Sequence, residues 1–233
     1  SLLVFIGGFA LTVTPGKVGE VLKAYLLRES HGIPMARTAP IVLAERLTDL
    51  VALILLSLVG VGAWLSAQQR SFLVVGAGLC IGTVALLSSR RAAHFVIDRL
   101  EAILPSHRYL RAAFSTARPL YDSAYELLRP WPLFLTTVLS LLAWASECLT
   151  CYLIVHVIPG GEHASLLLCT FVYALMTVVG ALAFLPGGLG VTEGGMTALL
   201  ISLGGLSKSS ALSATLLVRT LTLWFAVLLG ALS

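Results

Sequence analysis

The sequence predicts an all-α integral membrane protein, a polytopic helix bundle that forms one transmembrane domain over residues 1–233. Of its 233 residues, 58% are hydrophobic and 11% are charged, and the mean hydropathy is +0.97. A soluble domain carries about 25% charged residues. So few charged side chains cannot cover the protein surface in water, so lipid must solvate much of that surface.

Long apolar segments are the second observation behind this fold class. A helix that crosses a bilayer needs about 20 apolar residues. Four or five segments qualify, and they are 39–64, 71–88, 133–158, 164–185 and 209–232. Two more, 2–14 and 190–204, are too short to span alone. The chain starts inside an apolar run without the basic region or cleavage site of a signal peptide. We therefore expect it to be N-terminally incomplete.

The segment 90–132 differs from the rest in charge. It holds seven arginines against four acids, and its apolar residues recur at helical spacing. This pattern predicts an amphipathic segment, and the arginine excess places it in the cytoplasm. Spans 39–64 and 133–158 then both run outward. The arginines either contact anionic lipid or only anchor the topology.

Two Pro-Gly segments, the third observation, resemble each other. Thr14–Glu20 reads TPGKVGE and Leu185–Glu193 reads LPGGLGVTE. From the glutamates onward, one offset of 173 residues pairs Glu20 with Glu193, Gly32 with Gly205 and Arg46 with Arg219, while the Pro-Gly pairs are offset by two residues fewer. We therefore predict an internal repeat with halves of about 2–64 and 164–232. Proline and glycine break helices, so both segments are expected to be re-entrant. Three spans between them would make the repeat inverted. The predicted break or gating residues are Pro15, Gly16, Gly19, Pro186, Gly187, Gly188 and Gly190.

Several charged residues fall inside apolar segments, where each costs roughly 2.5–3.5 kcal/mol at the centre of a helix. Arginine suits phosphate, because its planar fork can bind two oxygens. The alternatives are structural: an ion pair of Arg46 with Asp49, a pair of Arg219 with Glu193, and packing for Glu147. The predicted substrate-binding residues are Glu20, Arg46, Asp49, Glu147, Glu193 and Arg219.

Motifs for other chemistry are missing from the sequence. It has no P-loop, no nucleophile elbow, no zinc-protease motif and no nucleic-acid-binding motif. Its four cysteines lie in apolar segments, where packing explains them. We therefore assign no catalytic residue, no metal and no cofactor, and any transport would be passive or coupled to an ion or proton.

A family resemblance follows from four segments of the sequence. These segments resemble the signatures of the lysylphosphatidylglycerol synthase transmembrane family, also called the flippase-like domain family. They are Pro15–Glu20, Ala24–Leu27, Glu45–Leu50 and Leu185–Gly194. The resemblance covers nearly the whole chain. It implies a multi-pass protein of the plasma or inner membrane, with a bundle of spans and re-entrant segments.

The resemblance also implies a function. In the best-known members this domain moves an aminoacylated phospholipid between leaflets, and a separate soluble domain, absent here, makes that lipid. We therefore expect a flippase or scramblase for an anionic or aminoacylated phospholipid or a polyprenyl-phosphate lipid. The alternatives are a membrane-embedded glycosyl- or headgroup transferase, a non-catalytic partner of a separate synthase or glycosyltransferase, and a small-solute transporter.

Overall fold

The described part of the chain is helical throughout. The computed structural model describes residues 6–11, 13–14, 25, 28–29, 35–61, 71, 74–76, 78, 82, 88–103, 125 and 129–232, and within these it contains no strand. The α-helices are α1 (Met35–Val61), α2 (Arg90–Ile103), α3 (Pro130–Val157), α4 (Leu166–Leu182), α5 (Val191–Ser202), α6 (Lys208–Arg219) and α7 (Phe225–Ala231). Short 3-10 turns cover Gly8–Leu11 and Pro186–Gly188, and a π-helical turn, Thr220–Trp224, joins α6 to α7.

Two helices of the described part are long and apolar enough to cross a membrane. These are α3, with 28 residues, and the continuous helix Lys208–Ala231, with 24. The apolar helix α4 has 17 residues and is about 25 Å long. It is therefore shorter than the segment 164–185 predicted from the sequence and than a bilayer core of about 30 Å. Most of the predicted span 71–88 lies outside the described residues.

Local sequence signals explain where these helices begin and end. Prolines are tolerated in the first turn of α3, where backbone N–H groups lack helical partners. The hydroxyls of Ser165 and Ser207 cap α4 and α6 by accepting backbone N–H groups at 3.1 Å. Gly205, at φ +70°, ends α5 in the left-handed conformation that favours glycine.

Helix α4 lies at the centre of the described bundle and packs against α1, α3 and α5. Its buried side chains form the core together with residues of α3, α5 and α6. The largest fully buried side chains there are Phe171, Leu168, Met196, Leu200, Val155, Val172 and Val218. The outward side chains of α3, α6 and α7 are leucine-rich and exposed, as expected of a lipid-facing surface.

Helices α1 and α3 run in the same direction. Leu133 packs on the pair Ala44 and Ala93, and two turns further along α3 the hydroxyl of Ser140 reaches Asp49 of α1. Positions on the two helices therefore advance together. The prediction that 39–64 and 133–158 cross the membrane in one direction requires this parallel packing. The crossing itself and the side on which each segment begins stay predictions.

Helices α4 and α5 form an antiparallel hairpin whose tip is the Pro-Gly segment. Gly180 of α4 lies against Thr192 of α5, and further from the tip Met176 lies against Gly195. Small residues let the two backbones approach closely, as in other membrane helix pairs. Helix α5 is in turn antiparallel to α6, because the hydroxyls of Thr197 and Thr215 meet at 3.1 Å.

Candidate functional site

Arg219 lies midway along the apolar helix Lys208–Ala231, and it is 8% exposed. A guanidinium at this depth needs polar partners, because hydrocarbon offers none. The structure supplies two. Nε of Arg219 donates to Oε1 of Glu193 at 2.6 Å, and Nη2 donates to the carbonyl oxygen of Gly187 at 2.5 Å. Arg219 therefore binds both the start of α5 and the broken turn before it.

The second oxygen of Glu193 completes this arrangement. Oε2 accepts the backbone N–H of Gly190 at 2.6 Å, so the carboxylate caps its own helix while it neutralises the arginine. We call Arg219, Glu193, Gly187 and Gly190 the arginine clamp. It satisfies one carbonyl and one N–H group of the turn, which would otherwise be costly at membrane depth. The predicted structural pair of Arg219 with Glu193 is thus present.

Glycines in the turn allow this geometry. Gly187, Gly188 and Gly190 have φ values of +59°, +67° and +83°, where side chains other than glycine are strained. A Cβ atom on Gly188 would also lie 3.1 Å from Cα of Gly180 and 2.6 Å from Oγ1 of Thr192. The break residues predicted in this half, with Pro186, therefore shape the turn that the arginine binds.

The tip of the hairpin is apolar on its outside. Phe184, Leu185 and Leu189 are 72%, 42% and 37% exposed. A turn facing water would usually carry polar residues there. On its inner side, Gly187 is flanked by Leu223 of the π-helical turn and by Val13, whose Cγ1 would lie 3.5 Å from a Cβ at Gly187.

A second polar pair, formed by a buried tyrosine and a half-buried glutamate, lies beside the clamp. The phenol of Tyr173, which is 3% exposed, donates to Oε2 of Glu147. Thr222 and Arg219 both lie near Tyr173. The structure therefore brings Glu147, Glu193 and Arg219 into one region around Tyr173.

Sequence reasoning missed Tyr173 and Thr222. The signal available for Tyr173 is its hydroxyl group, because a tyrosine in the middle of an apolar helix needs a hydrogen-bond partner when buried. A threonine one turn after an intramembrane arginine is a weaker signal, since threonine also bonds to its own helix. Thr222 does so here, donating to the carbonyl of Val218 at 2.9 Å.

The π-helical turn begins directly after Arg219. The backbone N–H of Phe225 bonds to the carbonyl of Thr220, five residues earlier, instead of four. Such turns are uncommon and often lie at functional sites. Here the turn carries Leu223, which packs on the clamp, and Thr222, which lies near Tyr173.

Arg46 and Asp49 form a separate group on α1. Nη2 of Arg46 lies 3.2 Å from Oδ2 of Asp49 and 3.4 Å from Oε1 of Glu45. The hydroxyl of Ser140 on α3 donates to Oδ1 of Asp49 at 2.9 Å. The predicted ion pair of Arg46 with Asp49 is therefore present, and a polar residue of α3 holds it.

The two groups lie along one face of α3. Ser140 and Glu147 are seven residues apart, which is two helical turns on the same face and about 10 Å along the axis. Trp144 lies between them and is half-buried. We call Ser140, Trp144 and Glu147 the polar track.

Four of the predicted residues of the first half lie outside the described residues. These are Pro15, Gly16, Gly19 and Glu20. In the described part of the chain no group of three or more His, Cys, Asp and Glu side chains could hold a metal ion. Cys148, Cys151 and Cys169 are buried in the core as free thiols.

Comparison with known proteins adds a family to this geometry. Residues 1–230 match the model of the family described as lysylphosphatidylglycerol synthase TM region. The UPF0104 membrane protein PH1989 of Pyrococcus horikoshii is 25% identical, over 97% of this chain and 73% of that protein. Two UPF0104 membrane proteins of Methanothermobacter thermautotrophicus are 28% and 24% identical, over 97% and 91% of this chain and 70% and 67% of those proteins. No solved structure matches the chain significantly.

Proposed function

Because the chain is a membrane protein that belongs to the lysylphosphatidylglycerol synthase TM region family, we propose that it moves a lipid with a phosphate-bearing headgroup between the two leaflets, as a flippase or scramblase. The substrate is an anionic or aminoacylated phospholipid or a polyprenyl-phosphate lipid. The observation that carries the proposal is the arginine clamp, which ties a broken helix turn to an arginine at the middle of an apolar helix.

The depth of the hairpin tip supports a re-entrant segment. Arg219 is midway along a 24-residue apolar helix, and the tip meets it there. Both open ends of the hairpin are polar, with Glu162 and His163 before α4 and Lys208 after α5. The backbone N–H groups of Glu162 and Gly160 lower the pKa of the Glu162 carboxyl, so this group is ionised at neutral pH. In this proposal the hairpin enters from that polar side and turns back at mid-depth, which agrees with its apolar tip.

The clamp also provides a mechanism for headgroup passage. A headgroup phosphate carries the same charge sign as the Glu193 carboxylate and fits the same guanidinium fork. When phosphate takes the place of the carboxylate on Arg219, Glu193 stays bonded to the N–H of Gly190 and the turn loses one tie to the helix. Exchange of the anionic partner therefore couples headgroup binding to movement of the Pro-Gly turn, and its reversal releases the lipid.

The polar track gives the headgroup a path beyond the clamp. Glu147 lies next to Tyr173 and close to the clamp, and Ser140 lies about 10 Å away with Asp49 and Arg46. Charged and hydroxyl groups along one face of α3 lower the cost of moving a headgroup through hydrocarbon. The acyl chains stay in the bilayer, against the exposed leucines of the outer faces.

The repeat stays part of the proposal, with two contacts in support. Val13, two residues before the first Pro-Gly pair, packs on Gly187 of the second. The offset that pairs Arg46 with Arg219 also pairs Asp49 with Thr222. Asp49 accepts a hydrogen bond from Ser140 of another helix, and Thr222 lies near Tyr173 of another helix. An inverted repeat would thus place two broken segments face to face. We further propose a multi-pass protein of the plasma or inner membrane with 90–132 in the cytoplasm.

Leaflet exchange of fluorescent lipids in liposomes tests the function. Protein-containing and empty liposomes carry headgroup-labelled phosphatidylglycerol, phosphatidylcholine or a polyprenyl phosphate, and a membrane-impermeant quencher reports the outer-leaflet fraction over time. The proposal expects complete quenching of at least one lipid only where protein is present. Equal, partial quenching with and without protein for every lipid would overturn it. Conversion of a lipid to a new species on addition of a nucleotide-sugar or aminoacyl donor would instead identify a transferase.

A further inference from the structure

Glu193 is the acid of the arginine clamp, and each of its carboxylate oxygens has its own partner. Oε1 accepts Nε of Arg219 at 2.6 Å, and Oε2 accepts the backbone N–H of Gly190 at 2.6 Å. The Glu193 side chain is 17% exposed. Because the amide of Gly190 is neutral, Arg219 is the group that balances the charge of this carboxylate in the described part of the chain.

The helices packed against Glu193 carry few other titratable groups among the described residues. Helix α5 packs against α4 and α6. Besides the clamp residues, the titratable side chains of these three helices are Cys169, Tyr173 and Lys208. Lys208 is eleven residues from Arg219, or about 16 Å along the helix. Tyr173 lies near Arg219 and donates to Glu147 of α3, which is therefore the second acid of this region.

Removal of Glu193 from the guanidinium leaves a negative charge without its counterion. In the proposed exchange a headgroup phosphate occupies Arg219, so two anions share one cation. Hydrocarbon does not solvate the second anion, and a buried carboxylate that has lost its partner is costly. Its remaining partner in the clamp is the neutral amide of Gly190. A proton on the carboxylate removes the charge and with it this cost.

The geometry of the clamp also suits the protonated form of Glu193. Oε2 accepts the N–H of Gly190 in either form, so the cap of α5 stays in place. A proton added to Oε1, the oxygen that Arg219 binds, changes this atom from an acceptor into a donor. That donor then faces the phosphate oxygens that occupy the guanidinium. The proton comes from water, and the new O–H bond is the only covalent bond that forms.

We infer that Glu193 is a proton-binding site linked to the headgroup, which takes up a proton when the phosphate of an anionic phospholipid takes its place on Arg219. The proton is released when the lipid leaves and the ion pair re-forms. This inference rests on the proposed function, because it uses the same exchange at Arg219. Headgroup and proton bind together without adding net charge to the clamp. A pH difference across the membrane is therefore an energy source that drives the lipid away from the acidic side.

Calorimetric titration of the purified protein in detergent micelles tests the proton uptake. Short-chain phosphatidylglycerol, whose phosphate is ionised at neutral pH, is titrated at one pH in two buffers that differ in ionisation enthalpy. The difference in binding enthalpy between the buffers gives the number of protons taken up with the lipid. The inference expects about one proton per bound lipid. Binding of phosphatidylglycerol without proton uptake, or no binding, would overturn it.

Substitution of Glu193 assigns the proton to this residue. Glu193→Gln should bind phosphatidylglycerol without proton uptake, because the amide does not titrate. Wild-type affinity should fall by up to about tenfold per pH unit as pH rises through neutrality, since the bound state holds one more proton, and the affinity of Glu193→Gln should change less than about twofold. Glu162→Gln is the control, because Glu162 is an exposed acid in the loop before α4, and it should match wild type. Equal pH dependence in wild type and folded Glu193→Gln would contradict the site.

Glu147→Gln tests the second acid of the region. Loss of proton uptake in this variant, together with uptake retained in Glu193→Gln, would assign the proton to Glu147 and overturn the inference. The wild-type titration needs no substitution, so it decides the proton uptake even where Glu193→Gln does not fold.

The leaflet-exchange assay separates this inference from the proposed function. Exchange in liposomes combined with lipid binding that takes up no proton would overturn the proton site and leave the flippase or scramblase function in place. Proton uptake on binding without any leaflet exchange would contradict the function and support the proton site.

Discussion

Arg219 donates a hydrogen bond from Nη2 to the carbonyl oxygen of Gly187, across 32 residues of sequence and at a distance of 2.5 Å. This bond joins the middle of the last helix to the turn of the α4–α5 hairpin. Through Nε the same side chain holds Glu193, and Glu193 holds Gly190. One arginine therefore organises the whole turn.

The pair Arg219 and Glu193 should show strong energetic coupling. Their side chains are 10% and 17% exposed, so removing one partner leaves a largely buried charge. We expect Arg219→Met or Glu193→Gln alone to cost about 3–5 kcal/mol in unfolding free energy. The double variant should cost less than the sum, with a coupling of about 1–3 kcal/mol. A double-mutant cycle by chemical unfolding in detergent measures this, and additive losses would contradict the pairing.

Substitution by alanine should affect stability differently at two glycines of the hairpin. Gly188 has φ +67° and lies against Gly180, so Gly188→Ala should destabilise the protein by about 2–4 kcal/mol. Gly194 lies in α5 with nothing within 4 Å of its missing Cβ. Gly194→Ala should therefore leave stability unchanged or raise it by up to about 1 kcal/mol. Thermal unfolding of both variants tests this difference in stability, and similar melting temperatures would be evidence against the described turn.

Tyr173→Phe should destabilise the protein, because Glu147 loses the hydrogen bond that it accepts from the phenol. A hydrogen bond to a charged group contributes about 1.5–3 kcal/mol, and we expect a loss of about 2 kcal/mol. Tyr152→Phe is the control, since the half-buried Tyr152 ring stacks on His156 at 5.4 Å. It should change stability by less than about 0.5 kcal/mol. Indistinguishable unfolding of the two variants would argue against the Glu147 contact.

The polar track should be reachable by water-soluble thiol reagents. In a background whose four native cysteines are replaced by alanine, Ser140→Cys and Glu147→Cys should react in intact membranes. Leu139→Cys and Leu142→Cys should not, because both leucines are 65% exposed on a lipid-facing surface. Labelling rates measured side by side test this, and faster labelling at the leucine positions would reverse the assignment of the two faces.

Most of what could be predicted from the sequence came from its charged residues and its helix-breaking residues. An arginine in an apolar helix requires a partner, and Glu193 after a helix break was one of the acids available, so this pair was predicted as a structural alternative. The break residues were also predictable, because Pro186 and its glycines interrupt an apolar run. The all-helical fold of the described part follows from the need to pair backbone groups in lipid.

Contacts that depend on backbone geometry could not be predicted from the sequence. The bond of Arg219 to the carbonyl of Gly187 arises only when the turn adopts three positive φ values, and every residue has a carbonyl, so no residue type marks it. The pairing of Tyr173 with Glu147 joins two helices whose rotation about their axes is set by packing. The length of α4 was overestimated because hydropathy continues through Phe184 and Leu185, past the point where the helix ends.

Leaflet exchange in an Arg219 variant tests the central claim most directly. Arg219→Gln is compared with Lys208→Gln, which removes one exposed charge from the start of the same helix. Both proteins are checked for folding by monodisperse elution and unchanged far-ultraviolet circular dichroism. The account predicts that Arg219→Gln lowers the exchange rate at least tenfold while Lys208→Gln keeps it within twofold of wild type. Wild-type exchange in folded Arg219→Gln would contradict the account, because the headgroup would then pass without the clamp.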